Sequence, residues 1–409
     1  MLKLFQFNVS LNVGSTGRIA EQIGELAQFE GWESYIIHGP RYVGATALEA
    51  RSSESSIEEK MHWLKSIICD GHGLGTICGT KEVVKFLEEV KPDIIHLHNI
   101  HGYYVNYPIL FNYFSKIKTP IVWTLHDCWP FTGHCTYFDR IGCEKWKTGC
   151  FKCPQKKEYP TSITDCSNRN YNLKKQYFTA LGNRLTLIPV SRWLDNLIKQ
   201  SFLKDIKTNI IHNGIDISTF KPLRKNDLLA AFPMLQDKKI VLGVAQQWTK
   251  RKGLDDFYLI REKLPYDYVV VLVGLSQEQI KTLPDGIVGI ERTNSKNDLA
   301  ILYSLSEVFL NLSYEDNYPT VILEAISCGT PVITYNTGGC HEAISESTGY
   351  VVGKKDINGV INAIESISNI GKEKYVESCR SFALEHFDQK HCFEEYIKLY
   401  KQIIGADKN

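Results

Sequence analysis

The stretch SYEDNYPTVILEAISCGTPVI, Ser313 to Ile333, carries the change of period on which the fold turns. It is entered from the apolar run VFLNLS, Val308 to Ser313, which predicts a strand. A carboxylate-rich turn with Glu315 and Asp316 follows. A helix is predicted to open near Pro319, because proline suits the first helical position. Pro331 to Tyr335 then predicts a second strand. Strand, helix and strand in succession are the repeating unit of parallel α/β layers.

The same alternation extends in both directions. Strands are predicted at Lys239–Ala245 and Tyr268–Gly274 and, in the first half, at Lys3–Val9, Ser34–His38, Asp93–His98, Ile121–His126 and Leu185–Val190. Helical faces lie between them: Ile19, Ile23, Leu26 and Ala27 share one, and Val83, Leu87 and Val90 another. The pattern restarts after the turn-rich segment HNGIDISTFKP, His212 to Pro222, which reads as a linker. Two doubly wound Rossmann-like domains are expected, residues 1–215 and 216–385, with a C-terminal helix over 386–409 returning toward the first. Such domains place their ligand loops toward a common central cleft, where the active site is expected.

Composition fits this reading. A chain of 409 residues with 43% hydrophobic and 23% charged side chains has the balance of a folded two-domain protein. Its 47 lysines and arginines against 46 acids create no general field for nucleic acid, so any anion site must be local. The run Tyr268–Leu275 is too short to span a bilayer, and the first residues read as a strand rather than a signal peptide. A cytoplasmic protein is expected.

The local anion site has candidates. In GVAQQWTKRKGLDDF, Gly243 to Phe257, the cations Lys250, Arg251 and Lys252 lie between a strand and a helix opening at Gly253 or Leu254. Cations at a helix N-terminus suit a diphosphate, although a solvated basic turn has the same composition. Downstream, Asn317, Tyr318, Pro319 and Thr320 offer backbone groups at a second helix start, and Glu324 is a carboxylate suited to the hydroxyls of a ribose.

With these residues assembled, the chain resembles the retaining glycosyltransferases of family 4, which have the two-domain GT-B fold. The likeness runs through NVGSTGR (Asn12–Arg18), TLHD (Thr124–Asp127), NGID at the linker, Lys252–Gly253, the acidic stretch and TGGCHE (Thr337–Glu342). It implies that Lys252 neutralises the donor diphosphate, that Glu324 binds ribose, and that Glu315 or Asp316 touches the donor sugar. His126 would meet that sugar, and Gly14, Thr16 and Gly17 the phosphates. Without the likeness, the glycines fit an ordinary turn and His126 a satisfied core histidine. In the family an arginine usually stands five residues before the lysine; here that place is Gln247, and Arg251 is the candidate replacement. The family's two acids are separated by seven residues, so Asp316 takes the usual first place, with Glu315 beside it.

The implied reaction takes a sugar from a nucleotide diphosphate sugar to a glycan or lipid-linked glycan of a bacterial surface polysaccharide. Anomeric configuration is retained and no catalytic divalent metal is needed. Contact with a lipid-linked acceptor would be peripheral, at the inner face of the membrane. A sugar-nucleotide epimerase or a phosphorylase of the same fold is an alternative enzyme. A zinc-stabilised, non-catalytic carbohydrate-binding protein is the alternative of another class.

Two clusters remain. Cys135, Cys143, Cys150 and Cys153, separated by seven, six and two residues, match the ligand inventory of a structural zinc site in an insertion over about 128–160. Unrelated thiols or two short disulfides are the competing readings. The insertion, with Lys145, Trp146, Lys147, Lys156 and Lys157, is a candidate acceptor surface; Cys69, Cys328 and Cys379 are expected to be buried. His96, His98 and His101 put at least two imidazoles on one strand face, suited to a metal or, better, to lining a cleft.

Overall fold

The computed structural model describes residues 1–53, 56–223, 235 and 237–406. The chain forms two compact units, Met1–His212 together with the segment from Phe393, and Asn213–Cys392.

The first unit is built on β1 (Lys3–Phe7), β2 (Glu33–His38), β3 (Glu49–Ser52), β4 (Ile94–Leu97), β5 (Ile121–Leu125), β6 (Leu185–Pro189) and β7 (Lys207–Thr208). Its sheet has the order β3-β2-β1-β4-β5-β6-β7 and every pairing is parallel. Helices cover both faces, so the central strands are nearly continuous apolar runs: β4, β5 and β6 are buried throughout. Aromatic side chains fill much of the core. Phe178, from helix Ser167–Thr179, meets Trp123 edge-on at 4.8 Å between ring centroids and Phe111 at 4.6 Å. The last helix, Gln389–Ala406, contributes Tyr396 and Tyr400 to this unit; the Tyr400 hydroxyl lies 2.7 Å from Nδ1 of His96.

The second unit repeats the plan with β8 (Lys239–Val244), β9 (Tyr268–Val273), β10 (Ile287–Ile290), β11 (Val308–Asn311), β12 (Val332–Tyr335) and β13 (Gly349–Val352). The order is β10-β9-β8-β11-β12-β13, again all parallel. No helix among the described residues is long and apolar enough to cross a membrane.

Each strand predicted from sequence is present, and the four that prediction missed, β3, β7, β10 and β13, are the four edges of the two sheets. An edge strand has one hydrogen-bonded neighbour and is incompletely covered, so its sequence need not be apolar. β3 reads EARS with both ends exposed, and β10 is mostly half-buried. The helix predicted to open near Pro319 spans Thr320–Ser327, with Pro319 extended just before it (φ −74°, ψ 127°).

Two glycines set close approaches in the second unit. Gly253 has φ +73°, and a Cβ there would lie 2.2 Å from the Leu312 carbonyl oxygen. At Gly338, φ +53°, a Cβ would lie 1.8 Å from the Asp316 oxygen. Both lock a loop against the segment that follows β11. Gly253→Ala should therefore cost about 1–3 kcal/mol from the left-handed backbone alone, with the clash adding to it. Denaturant unfolding of the pair measures this; an unchanged midpoint would contradict the packing described.

Candidate active site

In the second unit the chain runs from β8 outward to β9 and β10, then returns to the other side of β8 as β11. The loops after β8 and β11 therefore leave neighbouring strands in opposite directions of winding, the position where open parallel sheets take ligands.

Five contacts join these loops. Gly253 packs on Leu312, and the Tyr314 N–H donates to the Arg251 carbonyl at 2.8 Å. Arg251 Nη1 donates to the Glu315 carbonyl at 2.7 Å, and the Tyr314 hydroxyl to Asp256 Oδ2 at 2.7 Å. Lys252 Nζ lies 2.5 Å from Asp316 Oδ2, with the side chains 20% and 12% exposed. Burial by itself would raise the Asp316 carboxyl, but Lys252 and Arg251 outweigh it and hold that carboxyl below the usual range. The basic stretch is thus not a freely solvated turn. It is a one-turn 3-10 helix, Lys250–Lys252, fastened to the acidic turn.

The geometry separates residues that the sequence left equivalent. Glu315 is 2% exposed, whereas Asp316 is half-buried and carries the bond to Lys252. Gln247 is exposed, while Arg251 shares the Lys252 site. Asn317 and Tyr318 are buried just before helix Thr320–Ser327, with the Tyr318 carbonyl accepting from Asn213 Nδ2 at 2.9 Å. Glu324, on that helix, accepts from the Tyr303 hydroxyl at 3.0 Å. Asp256 was missed. It accepts from Tyr314 and, at 2.6 Å, from Tyr335, and so braces the loops from below. Its position after Lys252–Gly253, in the first turn of helix Leu254–Lys263, was the available signal.

The first unit has its own reversal of strand order, between β1 and β4. After β1, Gly14 has φ +70° and opens helix Gly14–Phe29, whose flanking Val13 makes no side-chain cap. Thr16 is half-buried; at Gly17 a Cβ would stand 2.7 Å from Ser10 Oγ and 3.2 Å from the Ser10 carbonyl oxygen, so the helix start packs closely on the turn after β1. After β5, His126 stacks on His98, with 3.4 Å between Nε2 and Nδ1. Burial pushes His126 down to about 4, which leaves it a neutral imidazole near pH 7.

Of the histidine trio, His96 and His98 share one face as expected, with ring centroids 4.0 Å apart, while His101 turns to a different partner. His96 bonds Thr124 Oγ1 at 2.8 Å and Tyr400, His98 faces Gln6 and His126, and His101 pairs with Asp127 at 2.9 Å. That last pair was not anticipated, since it joins loops after different strands.

In the insertion, Cys135, Cys143, Cys150 and Cys153 line one small cavity of about 20 Å³, with His134 and Lys145 also in its wall. All twelve cysteines are thiols, and among the described residues no group of three or more histidine, cysteine or acidic side chains is arranged to hold a metal ion. Trp146 is not a surface residue as expected: it is 2% exposed and stacks on Phe138 at 4.8 Å. Cys328 and Cys379 are buried as expected, but Cys69 is exposed on the outer side of its helix end.

Burial raises the Asp127 carboxyl, but His101 and the Trp129 N–H more than compensate, and its pKa falls below the ordinary value. An acid with a depressed folded pKa stabilises the fold fully above its unfolded value, about 3.9, and loses that contribution as pH falls through the folded value. Asp127→Asn should cost about 1.5–3 kcal/mol near pH 7 and progressively less below about pH 4. Urea unfolding at several pH values checks this; a pH-independent difference would contradict it.

Two sequence families match the chain: "Glycosyltransferase Family 4" over residues 19–219 and "Glycosyl transferases group 1" over residues 228–383. The putative colanic acid biosynthesis glycosyl transferase WcaC of Escherichia coli K12 is 24% identical over 427 aligned positions, covering 98% of this chain and 100% of that protein. Among solved structures, sucrose-phosphate synthase from Thermosynechococcus elongatus superposes with a TM-score of 0.74 at 19% identity, covering 99% of this chain and 100% of the other. The Anabaena HepE protein in complex with UDP-glucose gives 0.69 at 15% identity, covering 98% and 100%. The chain is a GT-B glycosyltransferase: its first unit matches the family 4 model, its second the group 1 model, and the two parallel α/β units are the two domains of that fold.

Proposed function

We propose that this glycosyltransferase takes its sugar from a nucleoside diphosphate sugar, that the diphosphate is held at Lys252 and Arg251, and that transfer retains the anomeric configuration. The observation that carries the donor assignment is the placement of both cations at the β8–β11 reversal, beside the start of helix Thr320–Ser327. HepE, a protein of the same fold, was solved with UDP-glucose, which supports a uridine nucleotide as the first donor to test.

In this reading the diphosphate lies against Lys252, Arg251 and the backbone N–H groups of Asn317, Tyr318 and Thr320. Glu324 accepts from the ribose hydroxyls while its other oxygen stays with Tyr303. Asp316, more exposed than Glu315, is the acid that reaches the sugar. Its bond to Lys252 orients both groups before the donor arrives. The sugar–diphosphate bond breaks as the acceptor oxygen attacks the same face of the anomeric carbon, and the acceptor proton passes to the departing diphosphate oxygen. Lys252 and Arg251 stabilise the negative charge that grows there, which removes the need for a divalent cation. In the first unit, neutral His126 is a hydrogen-bonding group rather than a cationic acid. The likeness to WcaC supports a surface-polysaccharide glycan as the acceptor.

Lys252→Ala should lower single-turnover transfer from a UDP-sugar by about 10²–10³-fold, the range found when one stabilising donor is removed from a transition state. Transfer at the wild-type rate would remove Lys252 from the mechanism. NMR of the product should show an anomeric centre of the donor's configuration; an inverted centre would refute retention. Brief exposure to a chelator should leave turnover intact. Loss of turnover restored by manganese and not by zinc would establish a catalytic metal instead.

A further inference from the structure

From Cys128 to Cys166 the chain has only three one-turn 3-10 helices, Trp129–Phe131, Asp139–Ile141 and Lys145–Lys147. Loops of such length with no regular structure of their own are uncommon in compact domains unless something else fixes them. Part of this one is fixed by an apolar centre: Trp146 packs on Phe131 at 5.4 Å and on Phe138. Around the neighbouring cavity stand all four thiols that sequence spacing singled out, and none of the other eight cysteines.

Three further features converge there. The Gly133 N–H donates to Cys150 Sγ at 3.2 Å, and Gly133 has no room for a side chain, because a Cβ would lie 2.2 Å from the Ser167 carbonyl oxygen. Cys135 and Cys153 are hydrogen-bonded to each other. His134, 3% exposed, is held through Nδ1 by Asp70 Oδ1 at 2.7 Å, while its buried Nε2 has no partner among the described residues. The Asp70-held imidazole lines the same cavity as the four thiols.

We propose that Cys135, Cys143, Cys150 and Cys153 bind one zinc ion as thiolates, with Gly133 N–H and the Asp70-held His134 supporting the sulfurs from outside the shell. The ligand set is all sulfur, which zinc accepts in a closed tetrahedron. Binding releases the thiol protons to solvent and brings the sulfurs inward from their present positions, where they do not form a coordination group. A closed four-sulfur shell has no place for substrate, so the ion is structural. Lys145, in the cavity wall, and Lys174, whose charge bears on Cys150, are the cations that would offset the excess negative charge.

Elemental analysis of the full chain, purified without chelator, should find about one equivalent of zinc, and zinc-edge absorption should fit four sulfurs at about 2.3 Å. Cys150→Ser with Cys153→Ser should lower bound zinc at least about tenfold, whereas Cys166→Ser, outside the cavity, should keep it. Zinc below about half an equivalent, iron in its place, a nitrogen among the nearest atoms, or a disulfide between two of the four thiols would overturn the proposal. If the double serine variant does not fold, the metal content and absorption of the unmodified chain decide alone.

Discussion

The reversal of strand order between β8 and β11 is the constraint on which the rest of the proposed donor site depends. Because β9 and β10 are laid on one side of β8 and β11 on the other, the loops leaving β8 and β11 have no intervening crossover between them. A cation-rich loop and an acid-rich loop, distant in sequence, are thereby forced into contact at the carboxyl ends of the strands. The contact is electrostatically self-consistent: Lys252 and Arg251 keep Asp316 ionised in a setting where burial alone would favour its protonation. It is also mechanically fixed, by Gly253 against Leu312, Gly338 against Asp316, and Asp256 beneath two tyrosines.

The proposed anion site is local in a chain with almost no net charge: Lys252 and Arg251 are gathered at a place where helix N–H groups are also available. The first unit handles its polar groups differently. Its titratable side chains at the strand ends are buried and paired with one another, His101 with Asp127 and His98 with His126, so histidines that look like a metal cluster in sequence are shared out among separate partners.

Much of the fold was legible because parallel strands covered on both faces are written as apolar runs, and each such run was read. The edges were not: EARS at β3 and the two-residue β7 carry no apolar pattern that distinguishes them from loop, while IVGI at β10 and GYVV at β13 are apolar but only four residues long. The residues proposed to hold the donor were legible as chemistry, lysine and arginine beside a helix start and acids before another. Which of Glu315 and Asp316 meets Lys252 was not, because adjacent acids differ only in which way their side chains face. Trp146 failed for a related reason: flanked by lysines it reads as surface, yet it packs on Phe131 and Phe138, whose proximity depends on the path of the whole insertion.

By itself, then, the sequence determined the class of fold, the restart of the pattern at the linker, and the inventory of groups able to hold a diphosphate. These are properties of local period and composition. The tertiary structure alone decided which groups meet: Lys252 with Asp316, Glu324 with Tyr303, Asp127 with His101, and four cysteines around one cavity. Each of these depends on strand order or on loop path, and neither is encoded in any single window of the chain.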